Sequence, residues 1–227
     1  MIVAELKPFE EIKNMLRDYK KVLVLGCGTC VTVCMSGGER QVELLASALK
    51  MAGKLAGNEI TAGEKTIVRQ CDPEFIDQIK DEVSQYDAVI SLACGAGVQG
   101  VAGRLGDIPV LPAMNTTFIG LSDGQGTWAE VCSACGNCIL NETGGICPMA
   151  RCAKSLINGP CGGSKGGMCE VSKDSPCAWQ QIYARLSKLN KLHTLKEKSE
   201  SRTRPVRPRR MVREDLRSET GPAKGVK

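Results

Sequence analysis

Over the first 120 residues, apolar positions switch back and forth between two periods. Phe9, Ile12, Leu16 and Tyr19 recur at intervals of three or four behind Pro8, which predicts an amphipathic helix over residues 8–20. The uninterrupted run KVLVLG (21–26) predicts a short buried strand ending on glycine. Val42, Leu45 and Leu49 share one face of a helix over 38–51, with Gly53 as its C-terminal cap. A second strand is expected over 66–69. Asp72-Pro73 then opens a helix whose face carries Phe75, Ile79 and Val83. Residues 88–93, 96–105 and 108–111 read as strand, short helix and strand. This alternation predicts an α/β fold, a small parallel sheet with flanking helices, over residues 1–120. Right-handed crossovers gather the loops at the carboxyl ends of the strands, where ligands bind in such sheets.

The pattern stops after residue 120. Residues 121–177 hold many glycines and few large apolar side chains, so little regular structure is expected and something other than a conventional core must hold the segment. A helix resumes with Ser175 as N-cap and Pro176 at its first position, with Trp179, Ile182, Leu186 and Leu189 on one stripe. Past residue 195 no period survives. The expected organisation is an α/β domain (1–120), a cysteine-rich domain ending in a helix (121–195) and a basic tail (196–227) that is disordered when isolated or docks on a partner.

Composition changes this picture in one respect. Of the chain's 13 cysteines, five lie in residues 1–131 and eight in residues 132–177. The opening MIVAELKPFEEIK is too charged for an export signal, and the longest uncharged run (88–103) is interrupted by four glycines, so no membrane span is expected. The expected location is the cytoplasm, where crowded thiols stay reduced and usually hold metal. Charge adds that residues 191–227 carry a net +7 within a total of +5, leaving the rest near neutral. Arg202, Arg204, Arg207, Arg209, Arg210 and Arg213 alternate with Pro205 and Pro208 but with no aromatic residue to stack on bases, which argues against nucleic acid as a partner.

The principal constellation is Cys132-x2-Cys135-x2-Cys138, then Cys147-Pro148, Cys152, Cys161, Cys169 and Cys177. Three thiolates at i, i+3 and i+6 can reach three corners of a cubane cluster, and a Cys-Pro closing such a run occurs in bacterial ferredoxins. Eight cysteines suit two four-cysteine clusters of the 4Fe–4S type, although the spacing does not say which cysteine serves which. Gly144-Gly145, Gly162-Gly163 and Gly166-Gly167 allow backbone amides to approach sulfur, and Cys177 is placed in the first turn of the last helix, where the dipole favours an anion. Zinc stapling is the alternative, but zinc favours paired C-x2-C knuckles or added histidines, and His193 is the chain's single histidine.

A second constellation, Cys27-x2-Cys30-x3-Cys34, follows the first strand, with Cys71 and Cys94 after the second and third. Thiols at the carboxyl ends of three neighbouring strands converge, so a third cluster would use Cys27, Cys30 and Cys34 with Cys94 or Cys71; otherwise Cys71 and Cys94 are small buried residues. The stretch Gly26-Cys27-Gly28-Thr29-Cys30-Val31 fails as a dinucleotide fingerprint because Val31 occupies the third glycine position. No acid–base or nucleophilic constellation accompanies these thiols, which points to electron transfer rather than to a substrate site of the chain's own.

The stretches Cys132-Ser-Ala-Cys-Gly-Asn-Cys-Ile-Leu, Thr143-Gly-Gly-Ile-Cys-Pro148, Cys152-Ala-Lys-Ser-Leu-Ile-Asn-Gly-Pro-Cys-Gly-Gly163, Gly167-Met-Cys-Glu-Val171 and Cys177-Ala-Trp179 resemble the methylenetetrahydrofolate reductase C-terminal domain family. The likeness, dense over residues 128–190, is to the small iron–sulfur subunit (MetV type) of the acetogen enzyme. It implies that Cys132, Cys135, Cys138, Cys147, Cys152, Cys161, Cys169 and Cys177 bind clusters. It further implies a flavin-bearing catalytic subunit as partner, reducing methylene- to methyl-tetrahydrofolate in one-carbon (Wood–Ljungdahl) metabolism, with a ferredoxin or another redox subunit as donor. The arginine-rich tail departs from the pattern. The rival reading is a zinc-stapled scaffold that holds the catalytic subunit without redox activity.

Overall fold

The computed structural model describes residues 1–196 together with Met211 and Arg213. The basic tail therefore lies almost wholly outside the described residues. The chain divides into two compact units, residues 1–129 and 130–227.

The first unit is built on a four-stranded parallel sheet in the order β3-β2-β4-β5, from β2 (Lys21–Cys27), β3 (Thr61–Ile67), β4 (Ala88–Leu92) and β5 (Val110–Pro112). The α/β expectation is met. Side chains along β2 alternate between two cores: Val22 and Val24 enter one apolar cluster, Leu23 and Leu25 the other. A strand buried on both faces has no polar side, hence the unbroken KVLVLG run. Helices α1 (Phe9–Leu16) and α3 (Glu39–Leu55) cover the first face through Ile12, Leu16, Val42, Leu45, Ala46 and Leu49. Helices α4 (Pro73–Asp77), α5 (Lys80–Val83) and α6 (Gly95–Leu105) cover the second through Ile76, Ile79, Val83 and Val101.

Several boundaries differ from the sequence expectation. Helix α3 runs through Gly53 and ends at Leu55, with Ala56 as its C-cap. Gly53 is an interior position pressed on the next strand's approach, where a Cβ would stand 2.7 Å from the Asn58 carbonyl oxygen. Strand β3 begins at Thr61 rather than residue 66, paired along its whole length with β2. The helix opened by Asp72 breaks into two short ones, although Asp72 caps the first by accepting the Glu74 amide.

A second sheet was not anticipated. Strand β1 (Ile2–Leu6) pairs antiparallel with β6 (Met114–Ser122), which is followed in the sheet by β7 (Trp128–Cys132). Only Ala113 separates β5 from β6, so the chain leaves the parallel sheet and enters the other one without a loop. It passes from the first unit to the second inside β7.

Regular structure in the second unit comprises the end of β7, the single turn α7 (Pro148–Arg151), α8 (Ala178–Lys188) and a 3₁₀ turn (Leu192–Leu195), among the described residues. Helix α8 starts later than expected, with Cys177 rather than Ser175 at its N-cap. Its inward stripe is Trp179, Ile182 and Leu186; Leu189 is exposed. Trp179 anchors the preceding loop by donating its indole N–H to the Leu156 carbonyl at 3.1 Å. No helix among the described residues is long and apolar enough to cross a membrane.

Candidate metal centres

The eight cysteines of the second unit gather around two separate cavities. Cys132, Cys135, Cys138 and Cys147 line one of about 430 Å³. Cys152, Cys161, Cys169 and Cys177 line another of about 220 Å³. The division follows chain order: the C-x2-C-x2-C triplet is completed by the Cys-Pro that follows it, and the four later cysteines form their own group.

Local backbone geometry explains how such loops can present sulfur. Ala134 takes up a left-handed conformation (φ 49°), which a residue other than glycine adopts at a cost, and its amide donates to Cys132 Sγ at 3.4 Å. The same two-residue contact recurs in the second quartet, where the Gly163 amide donates to Cys161 Sγ at 3.4 Å. A short antiparallel arrangement fixes two more members: the Cys169 amide donates to the Ser175 carbonyl at 2.9 Å and the Cys177 amide to the Gly167 carbonyl at 2.8 Å. Cys177 is the N-cap residue of α8, one step outside the first turn in which it was expected, and so still at the end of the helix where the dipole favours an anion.

Charged groups are distributed unevenly. Lys154 and Glu170, on the wall of the second cavity, form an ion pair. That pairing holds the Glu170 carboxyl below the usual carboxylate range and raises the Lys154 ammonium above its ordinary value. Neither residue was singled out by the sequence, because they lie sixteen positions apart and belong to no recognisable spacing.

The five thiols of the first unit do not all meet. Cys27, Cys71 and Cys94 share a neighbourhood at the carboxyl edge of the parallel sheet. The Cys71 thiol is pushed up, first by partial burial of its sulfur and then by repulsion from Cys27 and Cys94, even though the residue as a whole is exposed. Helix α6, capped by Cys94, packs so closely on this loop that a Cβ at Gly100 would stand 2.7 Å from the Gln70 carbonyl oxygen, next to Cys71. Cys30 opens the short helix α2 (Cys30–Val33). Cys34 is turned into the core, its sulfur 3.5 Å from the Val31 carbonyl oxygen and 3.8 Å from that of Ala4. The sequence did not reveal that Gln70 organises this edge: fully buried, it donates to the Leu25 carbonyl at 2.8 Å and accepts from Ser91 at 2.6 Å.

Among the described residues no group of three or more His, Cys, Asp or Glu side chains stands close enough to hold a single metal ion. Four sulfurs around one zinc, each at about 2.3 Å from it, must lie within about 4 Å of one another. Around a cubane, iron and sulfide intervene, so the four sulfurs stand farther apart about a central space. Each quartet lines a cavity and has one backbone amide directed at a sulfur.

Residues 111–204 match the model of a protein family described as "Methylene-tetrahydrofolate reductase C terminal". The match covers less than half of the chain but includes both quartets, and it supports a relationship of this segment to methylenetetrahydrofolate reductase. No curated protein and no solved structure matches the chain.

Proposed function

We propose that this protein is an iron–sulfur subunit that passes electrons to the flavin of a methylenetetrahydrofolate reductase catalytic subunit, for the conversion of methylene- to methyl-tetrahydrofolate. The partition of eight cysteines into two four-thiol cavities carries this reading. The family match to residues 111–204 supplies the reaction. A 4Fe–4S cluster in each quartet supplies one-electron chemistry, which suits a chain whose sites contain thiols and few acid–base groups.

The chain's own residues do three things in this scheme. The thiols of Cys132, Cys135, Cys138 and Cys147 hold one cluster, and those of Cys152, Cys161, Cys169 and Cys177 the other. The amides of Ala134 and Gly163 donate to the sulfurs of Cys132 and Cys161, contacts that orient the thiols toward the group they hold. Ile182, Leu186 and Trp179 keep water from one side of the segment. A few buried side chains at about 1.5–3 kcal/mol each do not offset the ordering of so long a glycine-rich stretch at about 1–2 kcal/mol per residue. Ligand binding therefore also supplies folding free energy here. Methylenetetrahydrofolate and flavin belong to the partner, and a ferredoxin or similar carrier is the donor. The thiol edge with Cys27, Cys71 and Cys94 is the place for a third such group, and Cys34, turned inward, is its least suited ligand.

The test is elemental analysis and visible spectroscopy of the full chain purified without oxygen. About four irons and four sulfides per quartet, with a brown colour bleached by dithionite, are expected. A colourless protein with stoichiometric zinc would replace this reading with a zinc-stapled scaffold that holds the catalytic subunit. Iron beyond the two quartets' share that is lost in Cys94→Ser would fill the third place.

A further inference from the structure

The two quartets share a donor set and differ in what surrounds it. Apart from the thiols, the described residues lining the Cys132/Cys135/Cys138/Cys147 cavity carry no ionisable side chain; Ile139, Leu140, Met149 and Ile157 form much of its wall. The cavity of Cys152, Cys161, Cys169 and Cys177 has Arg151, Lys154 and Glu170 on its wall, and Arg151 donates to the Gln181 side chain at 3.1 Å. Lys154 and Glu170 are ion-paired with each other. Glu170 is the residue directly after Cys169, and Lys154 lies two residues after Cys152, so the pair ties the beginning of the quartet to its later part. Room for it is made at Gly163. A Cβ there would collide with the Glu170 carboxylate, and the amide of the same glycine donates to Cys161 Sγ.

We propose that Lys154, held in place by Glu170, is a positioning residue that makes the cluster of the second quartet easier to reduce than the cluster of the first. This rests on the electron-transfer reading above. The physical argument is electrostatic. Reduction adds one negative charge to a group already anionic from four thiolates; Arg151 and Lys154 outnumber Glu170 on this wall by one positive charge, which favours that electron, whereas an apolar wall opposes it. Both partners are about two-fifths exposed, so solvent weakens the effect without abolishing it at contact range. An electron entering the chain then rests on the Lys154 side, and the first quartet serves as the relay of lower potential.

The experiment is a potentiometric titration of the anaerobic full chain, followed by electron paramagnetic resonance, with iron counted in each variant. Two reduction steps are expected in the unsubstituted protein. Lys154→Met should lower the higher step and leave the lower one in place, and Lys154→Arg should restore the original value. Glu170→Gln, which keeps an oxygen acceptor for Lys154 while removing the anion, should move the same step upward. If Lys154→Met loses iron, the sign of the Glu170→Gln shift decides. The inference is overturned if neither substitution moves a step, if both steps move equally, or if the lower step is the one that moves. Absence of any reducible group in the unsubstituted protein would instead remove the electron-transfer reading itself.

Discussion

Gln70 and Asp87 show how single polar side chains hold the edge of the parallel sheet. The Gln70 amide bridges the Leu25 carbonyl on β2 and the Ser91 hydroxyl on β4, with no exposure to solvent. Gln70→Leu would leave the Ser91 hydroxyl buried without its Gln70 partner and take one donor from the Leu25 carbonyl, at a cost of about 1–3 kcal/mol for a group that water cannot reach. The expected result is a lower urea midpoint with an unchanged denaturant slope. At the opposite end of the sheet, Asp87 accepts the Lys20 and Lys21 amides at 3.0 and 2.8 Å. These bonds favour the carboxylate, so the Asp87 carboxyl is held below its usual range, the Lys21 amide being the larger cause. A depressed folded-state value means that the contribution to stability is present above the unfolded value, near 4, and is lost as pH falls through the folded one. Asp87→Asn should therefore lower the neutral-pH midpoint and flatten its fall below about pH 4, measured by urea titrations across that range. A parallel loss at every pH would show that the carboxylate charge is not what matters.

Among the elements, α8 determines whether the second unit has an apolar core at all. Ile182 and Leu186 are fully buried, against Ile146 and Leu192. Truncating either to alanine is expected to cost about 2–5 kcal/mol, with Trp179 fluorescence reporting an earlier unfolding transition of this unit. The α8 stripe was legible in the sequence because three strong apolar residues recur at helical spacing behind proline. The cap was not, since Ser175 and Cys177 both precede the first turn and only the fold chooses between them. Strands β2 and β4 were equally plain, being buried on both faces. The β1-β6-β7 sheet escaped because β6 is exposed along Asn115, Thr116 and Thr117, and neither of its partners is longer than five residues. Its pairing joins residues more than a hundred positions apart, which no local period records. Strand β3 was shortened for a similar reason: Glu64 and Lys65 hide a strand whose partner supplies most of its support.

At the scale of the whole molecule, the sequence displayed the cysteines and concealed their partition. Spacing marked Cys132, Cys135 and Cys138 as one group, but Cys147 and Cys152 are only five residues apart and spacing alone gives no reason to separate them. The fold assigns them to different cavities because Pro148 opens the single turn α7 between them. This separation predicts a pattern of non-additivity. Cys135→Ser and Cys147→Ser should each remove the iron of one quartet, and the double substitution should remove no more than either single one. Cys147→Ser combined with Cys152→Ser should remove nearly all the iron of the second unit, although the two positions are closer in sequence than Cys135 and Cys147. Iron and sulfide counts on anaerobic preparations of the three singles and two doubles decide the matter. A fourth ligand exchanged between quartets, as when a Cys-Pro cysteine serves the other cluster of a two-cluster ferredoxin, would reverse the pattern: Cys135→Ser with Cys147→Ser would then lose both groups, and the cavities would not be the units of assembly.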